Sequence, residues 1–191
     1  MGVLCYPRIM LITGERQVGK TTALERALTT IREAGVSVSG LLTQCIGPHD
    51  LEVRELHTES VYRLTDPFDA PSASPLCHFK MNATAMARSA RALVGSFPTQ
   101  VFVLDELGPL ELKHRQGWVD VPALLAREAY VFAVVVVRPS LLGQAVVELP
   151  ATMYSVVHVT PHDREEVPAL IANEVIIACA RAAAGEGEAA L

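Results

Sequence analysis

Residues 14 to 21, Gly14-Glu15-Arg16-Gln17-Val18-Gly19-Lys20-Thr21, carry two glycines, a lysine and a threonine at the spacing G-x-x-x-x-G-K-[ST]. Each fixed position has a task on a polyphosphate. Gly14 and Gly19 let the backbone turn tightly and approach the phosphates. The amides between them form an anion nest, and a helix starting near Lys20 adds its positive end. Lys20 is expected to reach the terminal phosphates, and Thr21 to offer its hydroxyl to Mg²⁺. The expected nucleotide contacts are therefore Gly14, Glu15, Arg16, Gln17, Val18, Gly19, Lys20, Thr21 and Thr22, with ATP or another nucleoside triphosphate as ligand. Lysine is scarce here, at Lys20, Lys80 and Lys113 only, so composition alone does not account for the lysine in this slot.

A second chemical element is Val101-Phe102-Val103-Leu104-Asp105-Glu106. Four apolar residues ending in two acids read as a buried strand with carboxylates at its tip, the Walker B pattern. Asp105 is expected to hold Mg²⁺ through water. Glu106 lies where a carboxylate can polarise a water for in-line attack on the terminal phosphate. Asp105-Glu106-Leu107-Gly108 also fits D-x-x-G, but the guanine-reading N-K-x-D is absent from the chain, which disfavours a regulatory GTPase. The L-S-G-G-Q signature of transport ATPases is absent as well.

Two arginines are further candidates. Arg138 follows a valine-rich strand; it reads equally as a stabiliser of the transferring phosphoryl group or as a surface charge at a strand end. Arg164 lies beyond the last strand, either facing the base or phosphates or standing as a surface charge at a helix N-terminus. The six histidines show no metal-ligand spacing. Trp118 reads as a packing residue.

These groups need a scaffold. Arg8–Thr13 reads as a buried strand and Thr22–Ala34 as the helix that follows the glycine loop, with Gly35 ending it. Val36–Thr43 reads as a second strand. Glu52–His57 and Ser60–Leu64 read as a hairpin in an irregular stretch running to Met81. Asn82 is a candidate N-cap for a helix through Val94. Strands at 101–104, 131–137 and 154–159 alternate with helices at 122–128, 140–147 and 165–184. Such alternation implies an α/β fold, a doubly wound, mostly parallel sheet with helices on both faces. Its ligands belong at the carboxyl ends of the strands. Residues 1–184 are expected to form one domain, and 185–191 a frayed tail.

The whole chain is consistent with this. It has 191 residues, half of them hydrophobic and 5% aromatic, as suits a sheet buried on both faces. Its net charge of −5 argues against wrapping nucleic acid or lying on an anionic membrane. No apolar run is long enough to span a bilayer. The apolar N-terminus reads as the first strand rather than a signal peptide, and Tyr6 breaks the myristoylation pattern. Cys5, Cys45, Cys77 and Cys179 are scattered without a C-x-x-C pair and read as buried free thiols. A cytoplasmic location is expected.

Taken together, the motifs resemble the THEP-type nucleotide-unspecific nucleoside-triphosphatases. Thr13 through Thr22 is similar to that family's P-loop, and Gly40-Leu41-Leu42-Thr43 to its Gly-aromatic-x-Thr strand. Asp105-Glu106-Leu107-Gly108-Pro109-Leu110-Glu111-Leu112 resembles its extended Asp-Glu-x-Gly-x-x-Glu-Leu block, and Asp163-Arg164-Glu165 its Asn-Arg-Asp-like element. The resemblance implies an Mg²⁺-dependent hydrolase that cleaves several NTPs, with Glu106 polarising water, Asp105 on the metal and Glu111 an orienting or structural acid. Two departures stand out: Gln17 replaces a small residue, and Arg54-Glu55-Leu56 only approximates the family's Arg-x-Gly-aromatic element. A small-molecule kinase, or a nucleotide-gated binding module with slow turnover, are the alternatives.

Overall fold

A computed structural model describes residues 8–67, 79–150 and 154–185. Cys5, Cys77 and all of the expected tail except Gly185 lie outside the described residues. The first strand, β1 (Arg8–Thr13), is buried on both faces from Ile9 to Ile12 and leads into the glycine loop. Helix α1 (Lys20–Glu33) leaves that loop. Its apolar residues at 24, 27, 28 and 31 form one stripe, which is why this segment packs as a helix against a sheet. Gly35, at φ +77°, ends it as expected.

Strand β2 (Val38–Gly47) turns back into β3 (Asp50–Glu55), which pairs antiparallel with β4 (Val61–Arg63). The expected hairpin is therefore present. β2 runs four residues past its expected end because β3 supplies a ladder for residues the parallel sheet no longer reaches. Helix α2 (Ala83–Val94) begins at Asn82, whose Oδ1 accepts the Ala85 amide at 2.8 Å. Then come β5 (Val101–Leu107), a single turn α3 (Pro109–Leu112), α4 (Val121–Arg127) and β6 (Phe132–Val137). A 3₁₀ turn at Pro139–Leu141 opens α5 (Leu142–Glu148), followed by β7 (Tyr154–His158) and α6 (Val167–Ala183).

The described strands form one sheet in the order β4-β3-β2-β5-β6-β1-β7. The five from β2 to β7 in that order are parallel neighbours, and β3 and β4 extend the sheet antiparallel. Alternate residues feed two cores. Met10, Ile12, Val134 and Val136 meet α1 and α6; Ile9, Leu11, Val135 and Val137 meet the opposite layer of α2, α4 and α5. The sheet is thus α/β and doubly wound. At Gly40, with φ +115°, an added Cβ would lie 1.9 Å from the Val103 carbonyl oxygen. Only glycine lets β2 lie this close to β5, the strand that carries the acid pair. No helix among the described residues is long and apolar enough to cross a membrane. Cys179 is a buried thiol, whereas Cys45 is exposed, because β2 carries it past the edge of the parallel sheet.

Candidate functional site

The parallel order sets β1 and β5 on either side of β6, so their carboxyl ends open on one side of the sheet. The glycine loop leaves the end of β1. At Gly14, φ +148°, an added Cβ would strike the Val159 carbonyl oxygen at 2.4 Å, so the loop is seated directly on the chain leaving β7. Gly19 caps α1 with φ +106°. Lys20 folds back over the loop: its Nζ donates to the carbonyl oxygens of Gly14 at 2.7 Å and Glu15 at 2.8 Å. An ammonium has three donors, so one remains to aim at a phosphate. Burial lowers the Lys20 pKa, and the nearby Glu106 and Asp105 carboxylates oppose that shift.

Thr21 joins the two motifs. Its hydroxyl donates to Asp105 Oδ2 at 2.6 Å, across 84 residues of sequence. Asp105 is 4% exposed, at the tip of β5. Beyond Leu104 the β5–β6 register shifts before pairing resumes at Leu107, and the Asp105–Glu106 peptide is cis. Asp105 faces α1, while Glu106 meets Arg138, which follows β6. Arg138 donates from Nε to Glu106 Oε1 at 2.8 Å, and its second guanidinium nitrogen lies 2.6 Å from the same oxygen. Lys20, Thr21, Asp105, Glu106 and Arg138 therefore form one connected group. Arg164 is not part of it. It is half-exposed, lies 3.8 Å from Glu165, and belongs to the turn that precedes α6. Glu165 is in turn held by Arg26 of α1 at 2.6 Å.

The donor set suits a hard cation. Thr21 and Asp105 offer oxygens only, and Mg²⁺ is commonly held by one or two protein oxygens plus substrate phosphates and water. Among the described residues, no cluster of three or more His, Cys, Asp or Glu could hold a metal alone.

Burial pushes the Asp105 carboxyl from an ordinary 3.8 up to about 7; the Thr21 hydroxyl opposes the rise and Glu106 adds to it. The folded chain takes up this proton more readily than the unfolded chain, so stability is full below the ordinary value and is lost as pH rises through about 7. Chelator-treated protein is expected to lose melting temperature between about pH 4 and about pH 7, by a free energy on the order of a few kcal/mol. Asp105→Asn should flatten that dependence. An equally steep profile in Asp105→Asn, followed by thermal melts, would assign the effect to another group.

Sequence reasoning left one buried acid with a role known only by resemblance. Glu111 accepts backbone amides from Gly108 at 3.1 Å and Trp118 at 3.3 Å. The signal was its place in the Leu107–Leu112 block, but neither donor could be named from the spacing. A separate polar cluster was also not foreseen. Glu25 of α1 accepts from Arg54 at 2.9 Å and Gln44 at 3.1 Å, beside a hollow lined by Leu42, Gln44, Glu52, Arg54 and Val61.

A family model described as NTPase matches residues 9–172, most of the chain. The chain belongs to this family, the THEP-type P-loop NTPases. The NTPase is also similar to the crystal structure of THEP1 from the hyperthermophile Aquifex aeolicus, with a TM-score of 0.59. The alignment covers 87% of the NTPase and 98% of that chain, at 16% identity, so the likeness is one of fold. None of the curated proteins matches the NTPase. Nucleoside-triphosphate hydrolysis, in general terms, is the activity this family carries.

Proposed function

We propose that the chain is an Mg²⁺-dependent hydrolase that converts nucleoside triphosphates to the diphosphate and phosphate with broad base tolerance. The observation that carries this reading is the 2.6 Å bond from Thr21 to Asp105, which joins the phosphate loop to a strand tip bearing a second, separately oriented acid. The loop from Gly14 to Thr22 cradles the phosphates, and Lys20 contacts the terminal ones. Thr21 and Asp105 hold the cation, which neutralises charge on the phosphate oxygens when bound. Glu106 accepts a proton from water as the water oxygen attacks the terminal phosphorus and the bond to the bridging oxygen breaks. Arg138 offers two N–H groups beside that carboxylate and stabilises charge on the transferring group. Broad base tolerance is supported by where the polar groups converge: they gather at the glycine loop and the tip of β5, and the chain has no N-K-x-D base-reading motif.

One observation favours a second reading, transfer to a small acceptor. The hollow at Leu42, Gln44 and Arg54 is lined by β2, β3 and β4, and Leu42 is in register with Asp105. Phosphate release from ATP, GTP, CTP and UTP, each with and without Mg²⁺, separates the readings. Release from all four, lost without the metal, is expected. Negligible release together with labelled phosphate appearing on an added metabolite would favour the kinase.

A further inference from the structure

Thr43 lies on β2 at the point where that strand parts from β5. Leu42 is the last β2 residue in parallel register with β5, opposite Asp105. Thr43 therefore stands level with Glu106 on the neighbouring strand. Gly40 lets the two strands approach closely, since a Cβ there would lie 1.9 Å from the Val103 carbonyl oxygen. Alternation sets the face. Leu42 packs with α1, so Thr43 projects to the other side, with Leu41 and its own cross-strand partner Val53. Glu106 reaches toward that layer. A Cβ added at Gly108 would lie 3.4 Å from its Oε1, and Leu107 and Leu112, on either side of Gly108, pack with Leu41.

The Thr43 hydroxyl is buried and meets no hydrogen-bond partner among the described residues. Buried hydroxyls are normally satisfied, and one left alone costs free energy. Valine would fill the same space on a strand without that cost. Packing thus accounts for the branched shape of this residue but not for its oxygen. Three other hydroxyls share the condition, those of Thr13, Tyr62 and Tyr130. None of these stands beside the tip of β5. Thr13 is on β1, beyond β6; Tyr62 is on β4 at the far edge; Tyr130 precedes β6 at the opposite end of the sheet. Adjacent strands lie about 4.8 Å apart. A water bonded to a hydroxyl and a carboxylate spans about 5.5 Å between their oxygens, so one water reaches both Thr43 and Glu106.

We propose that the Thr43 hydroxyl is a second holder of the attacking water. The inference rests on the proposed role of Glu106. One hydrogen of the water points to Glu106, which takes it as the water oxygen bonds to phosphorus and the bridging oxygen leaves. The other points to Thr43 Oγ1, which accepts a hydrogen bond and neither gains nor loses a proton. A water held at both hydrogens keeps a lone pair aimed at the terminal phosphorus.

Substitutions that separate the oxygen from the shape test this. Thr43→Val removes the hydroxyl and keeps the branching; Thr43→Ser does the reverse. Thr43→Val is expected to lower kcat by about 10- to 100-fold, with the Kd for a non-hydrolysable ATP analogue within about threefold of the parent and a melting temperature no lower. Thr43→Ser is expected to keep kcat within about threefold of the parent, although it loses a strand-favouring methyl group. A merely structural threonine gives the opposite order, valine like the parent and serine impaired, and that order overturns the proposal. Equal loss in both variants, or a loss of kcat matched by a loss of affinity, overturns it too. Should Thr43→Val not melt cooperatively, Thr43→Ser is set against Thr43→Ala, which differ by the hydroxyl alone. A serine rate at least about tenfold above the alanine rate supports the proposal, and equal rates overturn it. A parent that hydrolyses no NTP removes the proposed function; a parent that hydrolyses while Thr43→Val matches it removes only the role of Thr43.

Discussion

Glu106→Gln is expected to cut steady-state phosphate release by about 10²- to 10⁴-fold while nucleotide affinity stays within a few-fold of the parent. Glutamine keeps the shape and an oxygen that can still accept from Arg138, whose Nε lies 2.8 Å from Glu106 Oε1. What it removes is the ability to take a proton. Binding depends on other groups, namely the loop amides, Lys20 and the Thr21–Asp105 pair. The expected signature is therefore a fall in kcat with a nearly unchanged Kd. A variant that releases phosphate at the parental rate would exclude Glu106 as the group that polarises water. Asp105→Asn should differ in kind, because it strips charge from the cation site and so weakens metal-dependent affinity as well as turnover.

The phosphate loop was legible because its chemistry is local. Two glycines, a lysine and a threonine within eight residues state their purpose by spacing alone, and Asn82 declared a helix start in the same way. The doubly wound sheet was legible from alternation, since strands buried on both faces must be apolar throughout. Element ends were less so. The apolar run 101–104 stops at Asp105, yet β5 continues to Leu107, because ladder hydrogen bonds come from the backbone and ignore side-chain polarity. Helix α6 starts at Val167 rather than Glu165, because Asp163 first closes a turn by accepting the Thr160 amide at 2.7 Å.

The site was legible as a set of residues and not as a set of contacts. Thr21 and Asp105 could be assigned to one cation from their motifs, but the bond between them depends on strand order, which places β5 two strands from β1 with β6 between. That same order puts the residue after β6 beside the acid at the end of β5. From sequence Arg138 reads equally as a catalytic or a surface residue; the fold adds its contact with Glu106. Arg164 carried a similar ambiguity, and the fold gives it a different neighbour, Glu165. Arginines at strand ends are common; which acid each one meets is a tertiary fact.

Arg138→Ala is expected to lower kcat by about 10²- to 10³-fold, short of the full 10³–10⁵ that an arginine finger supplies, because Lys20 and the cation also bear on the terminal phosphate. The guanidinium presents two nitrogens to one Glu106 oxygen, at 2.8 Å from Nε and 2.6 Å from the second, and its side chain is 48% exposed. A half-exposed pair of this kind adds little to stability, so the melting temperature should barely move. Arg138→Lys keeps the charge and loses the planar fork, and should recover only part of the rate. Two roles are then separable by a double-mutant cycle with Glu106→Gln. If Arg138 acts only by holding Glu106, removing it from the Glu106→Gln protein costs nothing more. If it also meets charge on the transferring phosphoryl group, the second substitution lowers the residual rate again, and that further loss is the expected result. A parental rate in Arg138→Ala would return this arginine to the surface.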